Sequence, residues 1–177
     1  MLTLVTGGAA SGKSEYAERL AVAGDGPRAY IATMQPFDAE CVARIEKHRA
    51  ARAGRGFVTI ERYRDLKGLR LPRGIDSVLL ECMSNLAANE LFGEGGAGED
   101  AARAILAGVD TLCAQARDVL IVSNELFSDG EAYDLETLRY LSVLGEINQA
   151  VARRAQRVVE VVCKIPIIHK NREGTAG

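Results

Sequence analysis

Residues 7–14 read Gly7-Gly8-Ala9-Ala10-Ser11-Gly12-Lys13-Ser14, a complete G-x-x-x-x-G-K-[ST] pattern. An apolar run, Leu2-Thr3-Leu4-Val5, precedes it, and a helical pattern begins near Glu15. Strand, glycine-rich loop and helix in that order are the context that gives the motif its meaning. Successive backbone N–H groups of such a loop surround a polyphosphate, and the following helix presents its positive N-terminal end. On this reading Gly7, Gly8, Ala9, Ala10, Ser11 and Gly12 form the cradle. Lys13 reaches the β- and γ-phosphates, and the Ser14 hydroxyl is a ligand for Mg²⁺. The plain alternative is a glycine-rich turn with an incidental lysine; the register of all three parts favours a nucleotide.

Outward from the loop, short β-rich runs alternate with longer helical patterns. The runs are 2–6, 28–32, 57–60, 77–81, 119–123 and 158–163, and the helical candidates are 14–23, 38–52, 84–92, 99–116 and 135–155. Several runs are continuously apolar on both faces, as in central strands covered on each side. The alternation predicts an α/β fold, a P-loop NTPase three-layer sandwich around a mostly parallel central sheet. Asp38 is a fitting N-cap for the second helix. Gly93–Gly98 reads as a loop and Phe127–Gly130 as a turn.

The chain has 177 residues, enough for one domain, read as 1–170 with a flexible tail over 171–177. A net charge of −2 gives no reason to expect nucleic acid as a partner. The apolar runs are far shorter than the ~20 residues of a membrane span. Cys41, Cys82, Cys113 and Cys163 form no C-x-x-C pair and stand at no ligand spacing from His48 or His169. Free thiols in a cytoplasmic protein are the expectation, with no zinc site.

Two strand-terminal acids are candidates beside the loop. Val78-Leu79-Leu80-Glu81 is an apolar strand ending in a carboxylate, the place where P-loop proteins hold an acid near the metal or nucleotide. Val119–Ser123 leads into Asn124-Glu125, whose acid is either a rival or a turn cap. The most unusual segment is Arg44-Ile45-Glu46-Lys47-His48-Arg49-Ala50-Ala51-Arg52. Arg44, His48 and Arg52 recur every four residues and share one stripe of a helix. Such a stripe is often only a solvated surface. In a slightly acidic chain with two histidines it also suits a triphosphate, with arginines on phosphate oxygens and His48 as nucleophile or general base.

Taken together these pieces resemble the bifunctional adenosylcobinamide kinase/adenosylcobinamide-phosphate guanylyltransferase family of cobalamin biosynthesis. The likeness rests on the loop, Tyr30-Ile31-Ala32-Thr33, Arg44-Ile45-x-x-His48-Arg49-x-x-Arg52, Thr59-Ile60-Glu61 and Leu79-Leu80-Glu81-Cys82. Further on it includes Val122-Ser123-Asn124-Glu125, Leu144-Gly145-x-Ile147-Asn148-Gln149 and Ile165-Pro166-Ile167. The resemblance implies phosphorylation of adenosylcobinamide by ATP or GTP. Transfer of GMP from GTP to that phosphate follows, through a GMP–histidine intermediate at His48. It implies catalytic roles for His48 and Lys13, and nucleotide contacts from Thr33, Met34, Gln35, Arg49, Ala50, Ala51, Arg52, Glu61 and Glu81. Mg²⁺ falls to Ser14, with Glu81 as a second candidate. A homo-oligomer, a trimer in the family, accompanies it.

The chain departs from the family pattern in places. Ala10 stands where arginine is frequent, and Lys164 where glycine is common. Phe57 follows Arg52-Ala53-Gly54-Arg55-Gly56 in place of a tryptophan-bearing segment, and Phe127–Asp134 lacks a glycine-proline version. None of these removes a residue assigned to the chemistry. Two other functions compete: a single-step small-molecule kinase in which His48 is only a phosphate ligand, and a non-catalytic GTP-binding regulatory module.

Overall fold

Strands β1 (Leu2–Thr6), β2 (Arg28–Ala32), β3 (Phe57–Glu61), β4 (Ser77–Glu81), β5 (Asp118–Val122), β6 (Arg157–Val162) and β7 (Ile165–Asn171) form one sheet in the order β3-β2-β4-β5-β1-β6-β7. Strands β1 to β6 are mutually parallel and β7 is antiparallel to β6. The helices are α1 (Lys13–Ala23), α2 (Ala39–Arg52), α3 (Met83–Phe92), α4 (Ala101–Gln115) and α5 (Leu135–Arg154). This computed structural model describes residues 1–125 and 133–172, and all of their side chains except those of Glu40, Arg44, Lys47, His48 and Ala51 on α2.

The apolar runs follow from a sheet with two covered faces. In β4, Val78 and Leu80 face one core while Leu79 faces the other, because neighbouring residues of a strand point to opposite sides. One core packs α3, α4 and α5 against the sheet through Leu86, Ile105, Leu112 and Ile147; the second packs α1 through Tyr16, Ala17 and Ala21. Helix, sheet and helix therefore make the three layers expected. Truncating a side chain such as Leu80 to alanine should cost about 2–5 kcal/mol.

The final strand was absent from the sequence expectation. Cys163 and Lys164 form the two-residue turn between β6 and β7 with φ of 50° and 66°. Hairpin turns with both central residues at positive φ normally advertise themselves by Asn or Gly, and this one does not. Pro166 is tolerated because β7 is an edge strand. Asn171, assigned to the tail, closes β7, and the Arg172 N–H donates to the Gln156 carbonyl. The rest of the tail, residues 173–177, lies outside the described residues, as does the expected turn at Phe127–Gly130. The helix expected over 99–116 is a 3-10 turn, Gly98–Asp100, followed by α4.

Candidate nucleotide-binding site

The site lies where ligands gather in parallel sheets, beyond the carboxyl ends of the strands. β1 delivers the phosphate loop. At Gly7 (φ 154°) a Cβ would stand 2.5 Å from the Val161 carbonyl oxygen, so only hydrogen fits. Gly12, at φ 92°, is the N-cap of α1 and has no side chain to cap the helix with. The first N–H groups of α1 are thereby left to an anion. Three backbone bonds pin the loop: Ser11 N–H to the Gly8 carbonyl, Glu125 N–H to Gly7, and Lys164 N–H to Ser11. The Ser11 hydroxyl is buried with no hydrogen-bond partner among the described residues.

Lys13 is 9 % exposed and its ammonium donates to the Gly8 carbonyl at 3.0 Å. Burial lowers its pKa, opposed by the neighbouring Cys82 and Glu81. A buried ammonium bonded to one neutral carbonyl is a cation in want of an anion.

The facing wall comes from α2 and β3. The Asp38 carboxylate caps α2 by accepting from the Cys41 N–H at 2.7 Å, as its sequence position suggested. At the other end Arg52 is 6 % exposed, its guanidinium 3.4 Å from the Tyr30 ring centroid. Its Nε and Nη1 have no hydrogen-bond partner among the described residues. Arg49 pairs with Glu61, which also accepts from the Tyr63 hydroxyl at 2.9 Å. Behind them Arg55 donates to Glu18 at 2.7 Å, tying the loop after α2 to α1. Burial, with help from Glu81, pushes the Glu18 carboxyl up.

Between the walls is a cleft of about 350 Å³. Ala9, Ala10, Lys13, Ser14, Met34, Arg49, Arg52, Glu61 and Glu81 all line it. Gly7, Gly8, Ser11 and Gly12 belong to the same loop and are not in the lining. Thr33 is fully buried; its hydroxyl accepts from the Cys82 N–H and donates to the Cys82 carbonyl, both at 2.8 Å. Gln35 and the exposed Ala50 are not in the lining. His48 and Ala51 sit on α2 by backbone position. Of the two strand-terminal acids, Glu81 lines the cleft, whereas Glu125 meets the loop through its backbone.

Sequence reasoning assigned no role to Tyr30, Thr59, Tyr63, Asn85 or Asn124, which also line the cleft. For Tyr30, Thr59 and Asn124 the signal was present as motif residues. Asn124 donates to the Ser84 hydroxyl at 2.8 Å, and the Ser123 hydroxyl donates to Asn148 on α5 at 2.6 Å. The two late motifs, S-N-E and L-G-x-I-N, are thus halves of one polar joint under the cleft.

Ser14 and Glu81 offer hard oxygen donors in the same cleft, a donor set that suits Mg²⁺. Among the described residues no three His, Cys, Asp or Glu side chains cluster to hold a metal. Mg²⁺ takes few protein ligands and completes its shell with water and substrate phosphates. No helix among the described residues is long and apolar enough to cross a membrane.

The family model described as cobinamide kinase / cobinamide phosphate guanyltransferase matches residues 3–168. The chain is 35 % identical to the bifunctional adenosylcobalamin biosynthesis protein CobU of Escherichia coli, over 94 % of this chain and 98 % of that one. The protein of the same name from Salmonella typhimurium gives the same identity and coverage. The bifunctional adenosylcobalamin biosynthesis protein CobP of Pseudomonas aeruginosa is 32 % identical, over 94 % and 96 %. Among solved structures, the RadB recombinase aligns with a TM-score of 0.49 and 18 % identity, covering 90 % of this chain and 73 % of its own. With its loop, α2 motif and polar joint in place, the chain belongs to the cobinamide kinase / cobinamide phosphate guanyltransferase family.

Proposed function

We propose that this protein phosphorylates adenosylcobinamide with ATP or GTP. It then transfers GMP from GTP to the resulting phosphate, giving adenosylcobinamide-GDP and pyrophosphate. One observation carries the reading: a single cleft has the phosphate loop on one wall and Arg49 and Arg52 of the R-I-x-x-H-R-x-x-R helix on the other. A simple kinase needs the first wall; the second adds cations placed for a further phosphate group.

In the kinase step the loop N–H groups and Lys13 hold the triphosphate, and the acceptor hydroxyl attacks the γ-phosphorus as the bond to the bridging oxygen breaks. Ser14 and Glu81 would hold Mg²⁺, which when bound would neutralise charge on the phosphates. In the second step a ring nitrogen of His48 attacks the α-phosphorus of GTP. The α–β bridging bond breaks, and Lys13 with the arginines offsets the charge gathering on pyrophosphate. An oxygen of cobinamide phosphate then attacks the same phosphorus and frees the histidine. Met34 on the β2–α2 connection, with Arg49, Arg52 and Glu61, contacts the nucleotide in this cleft; Thr33, Gln35, Ala50 and Ala51 neighbour these contacts in sequence. A corrinoid is large for a cleft of this size, so a homo-oligomer completes its site between subunits, a trimer by the family resemblance, acting in the cytoplasm.

The test is turnover with adenosylcobinamide, following products by mass. Both the phosphate and the GDP derivative should form, and neither with Lys13→Ala. GTP binding without any corrinoid-dependent product would overturn the reading.

A further inference from the structure

Tyr30 stands between the two walls and touches both. It lies on β2, flanked by β3 and β4, and is 4 % exposed. Its hydroxyl donates to Glu81 Oε2 at 3.2 Å, and its ring carries the Arg52 guanidinium on one face. The Phe57 ring meets it edge-on, centroids 6.2 Å apart, and fixes its orientation from β3. A hydroxyl that points one carboxylate oxygen and a ring that props one guanidinium are separable devices on one side chain.

We infer that Tyr30 is a positioning residue with two arms: its hydroxyl aims Glu81 at the Mg²⁺ of the bound nucleotide, and its ring presents Arg52 to the nucleotide's phosphates. This rests on the reading of Ser14 and Glu81 as the metal's protein ligands and of Arg52 as a phosphate contact. The ring matters because Arg52 has no carboxylate partner among the described residues to orient it. Its Nε and Nη1 are unpaired, while Arg49 and Arg55 are each fixed by an acid, Glu61 and Glu18. The π-face of a tyrosine attracts a guanidinium without occupying its N–H groups, so the donors stay available for phosphate oxygens.

Titration of the full chain with GTP over a range of Mg²⁺ concentrations separates the arms, with no corrinoid present. Tyr30→Phe keeps the ring and loses the hydroxyl. It should bind GTP within about twofold of wild type at saturating Mg²⁺, with the Mg²⁺ midpoint raised about tenfold, the usual scale for a hydrogen bond to a charged group. Tyr30→Leu should also weaken GTP about tenfold, and adding Arg52→Ala to it should cost little more, since the two act as a unit. In Tyr30→Phe, by contrast, Arg52→Ala should cost its full factor, and this arm remains readable if Tyr30→Leu does not fold. An unchanged Mg²⁺ midpoint in Tyr30→Phe overturns the first arm. Multiplying losses in the Leu pair, or an Arg52 effect that vanishes in Tyr30→Phe, overturn the second. GTP binding that follows this pattern in a chain without cobinamide-dependent turnover would sink the reaction assignment and leave the role of Tyr30 standing. A wild-type chain that binds no GTP would sink both.

Discussion

The phosphate-loop wall of the cleft grows from the most deeply buried part of the sheet, whereas the α2 wall stands at its rim. β1 and β4 are buried along nearly their whole length, and the loop between β1 and α1 is pinned by backbone bonds from three directions. α2 is polar and packs lightly. Among its described side chains only Arg52 is buried, and β3 beneath it is a half-exposed edge strand. Arg49 and Arg55 meet acids that are held by other elements, so ion pairs do there what apolar packing does around the loop. Two walls built by different forces should answer differently to mutation: on the proposed function the loop wall should be tolerant in stability and unforgiving in function, and the α2 wall should divide the two reactions.

The largest effect belongs to the loop wall. Lys13→Met should lower both activities by on the order of 10²–10³, the range for losing one positioned donor to developing charge. Yet the unliganded variant should melt no lower than wild type. Burial depresses the Lys13 pKa below its ordinary 10.5, so folding disfavours the charged form. That penalty is complete below the folded pKa and fades as pH climbs towards 10.5, so the advantage of Met over Lys should shrink at alkaline pH. Melting curves between neutral and alkaline pH check the sign; a variant that melts well below wild type at neutral pH would contradict it.

Next comes the α2 wall. Arg52→Ala should weaken GTP binding about tenfold to a hundredfold, the scale of lost charge-assisted hydrogen bonds. It should leave the melting temperature little changed, since its side chain carries no ion pair to break among the described residues. Binding isotherms beside thermal unfolding would read both; a large stability loss with intact affinity would make Arg52 structural and erase the contrast between the walls.

The smallest effect tests how the loop is pinned. Lys164 holds a left-handed conformation at φ 66°, in the turn that bonds back to Ser11. Lys164→Gly should stabilise the chain by about 0.5–1 kcal/mol, the strain relieved less the extra freedom of unfolded glycine. Chemical denaturation measures it, and a destabilised variant would show that the side chain packing on Gly12 outweighs the strain.

Much of this was legible from residue pattern. The loop and the parallel strands were clear because β1, β4 and β5 carry apolar residues on both faces, such as Leu4-Val5, Val78-Leu79-Leu80 and Val119-Leu120-Ile121-Val122, as a doubly covered sheet requires. The Arg44–Arg52 stripe marked α2 by its four-residue spacing, and Glu81 by its place at a strand's end. β7 was invisible because its turn uses Cys163 and Lys164 where Asn or Gly would have signalled it, and because its side chains face solvent on an edge. Tyr30 was quoted only as part of a motif: nothing local in Tyr30-Ile31-Ala32-Thr33 says that it meets Glu81, 51 residues on, or Arg52, 22 residues on, since those contacts exist only once β2 lies between β3 and β4.

The central claim is that α2 carries the second chemistry. Incubating the chain with Mg²⁺ and GTP, then mapping any covalent GMP by mass spectrometry, tests it most directly. An acid-labile, base-stable GMP adduct should appear on His48. His48→Ala should lose both the adduct and guanylyl transfer while keeping most of the kinase activity. An adduct on another residue, or none under conditions that yield adenosylcobinamide-GDP, would contradict it.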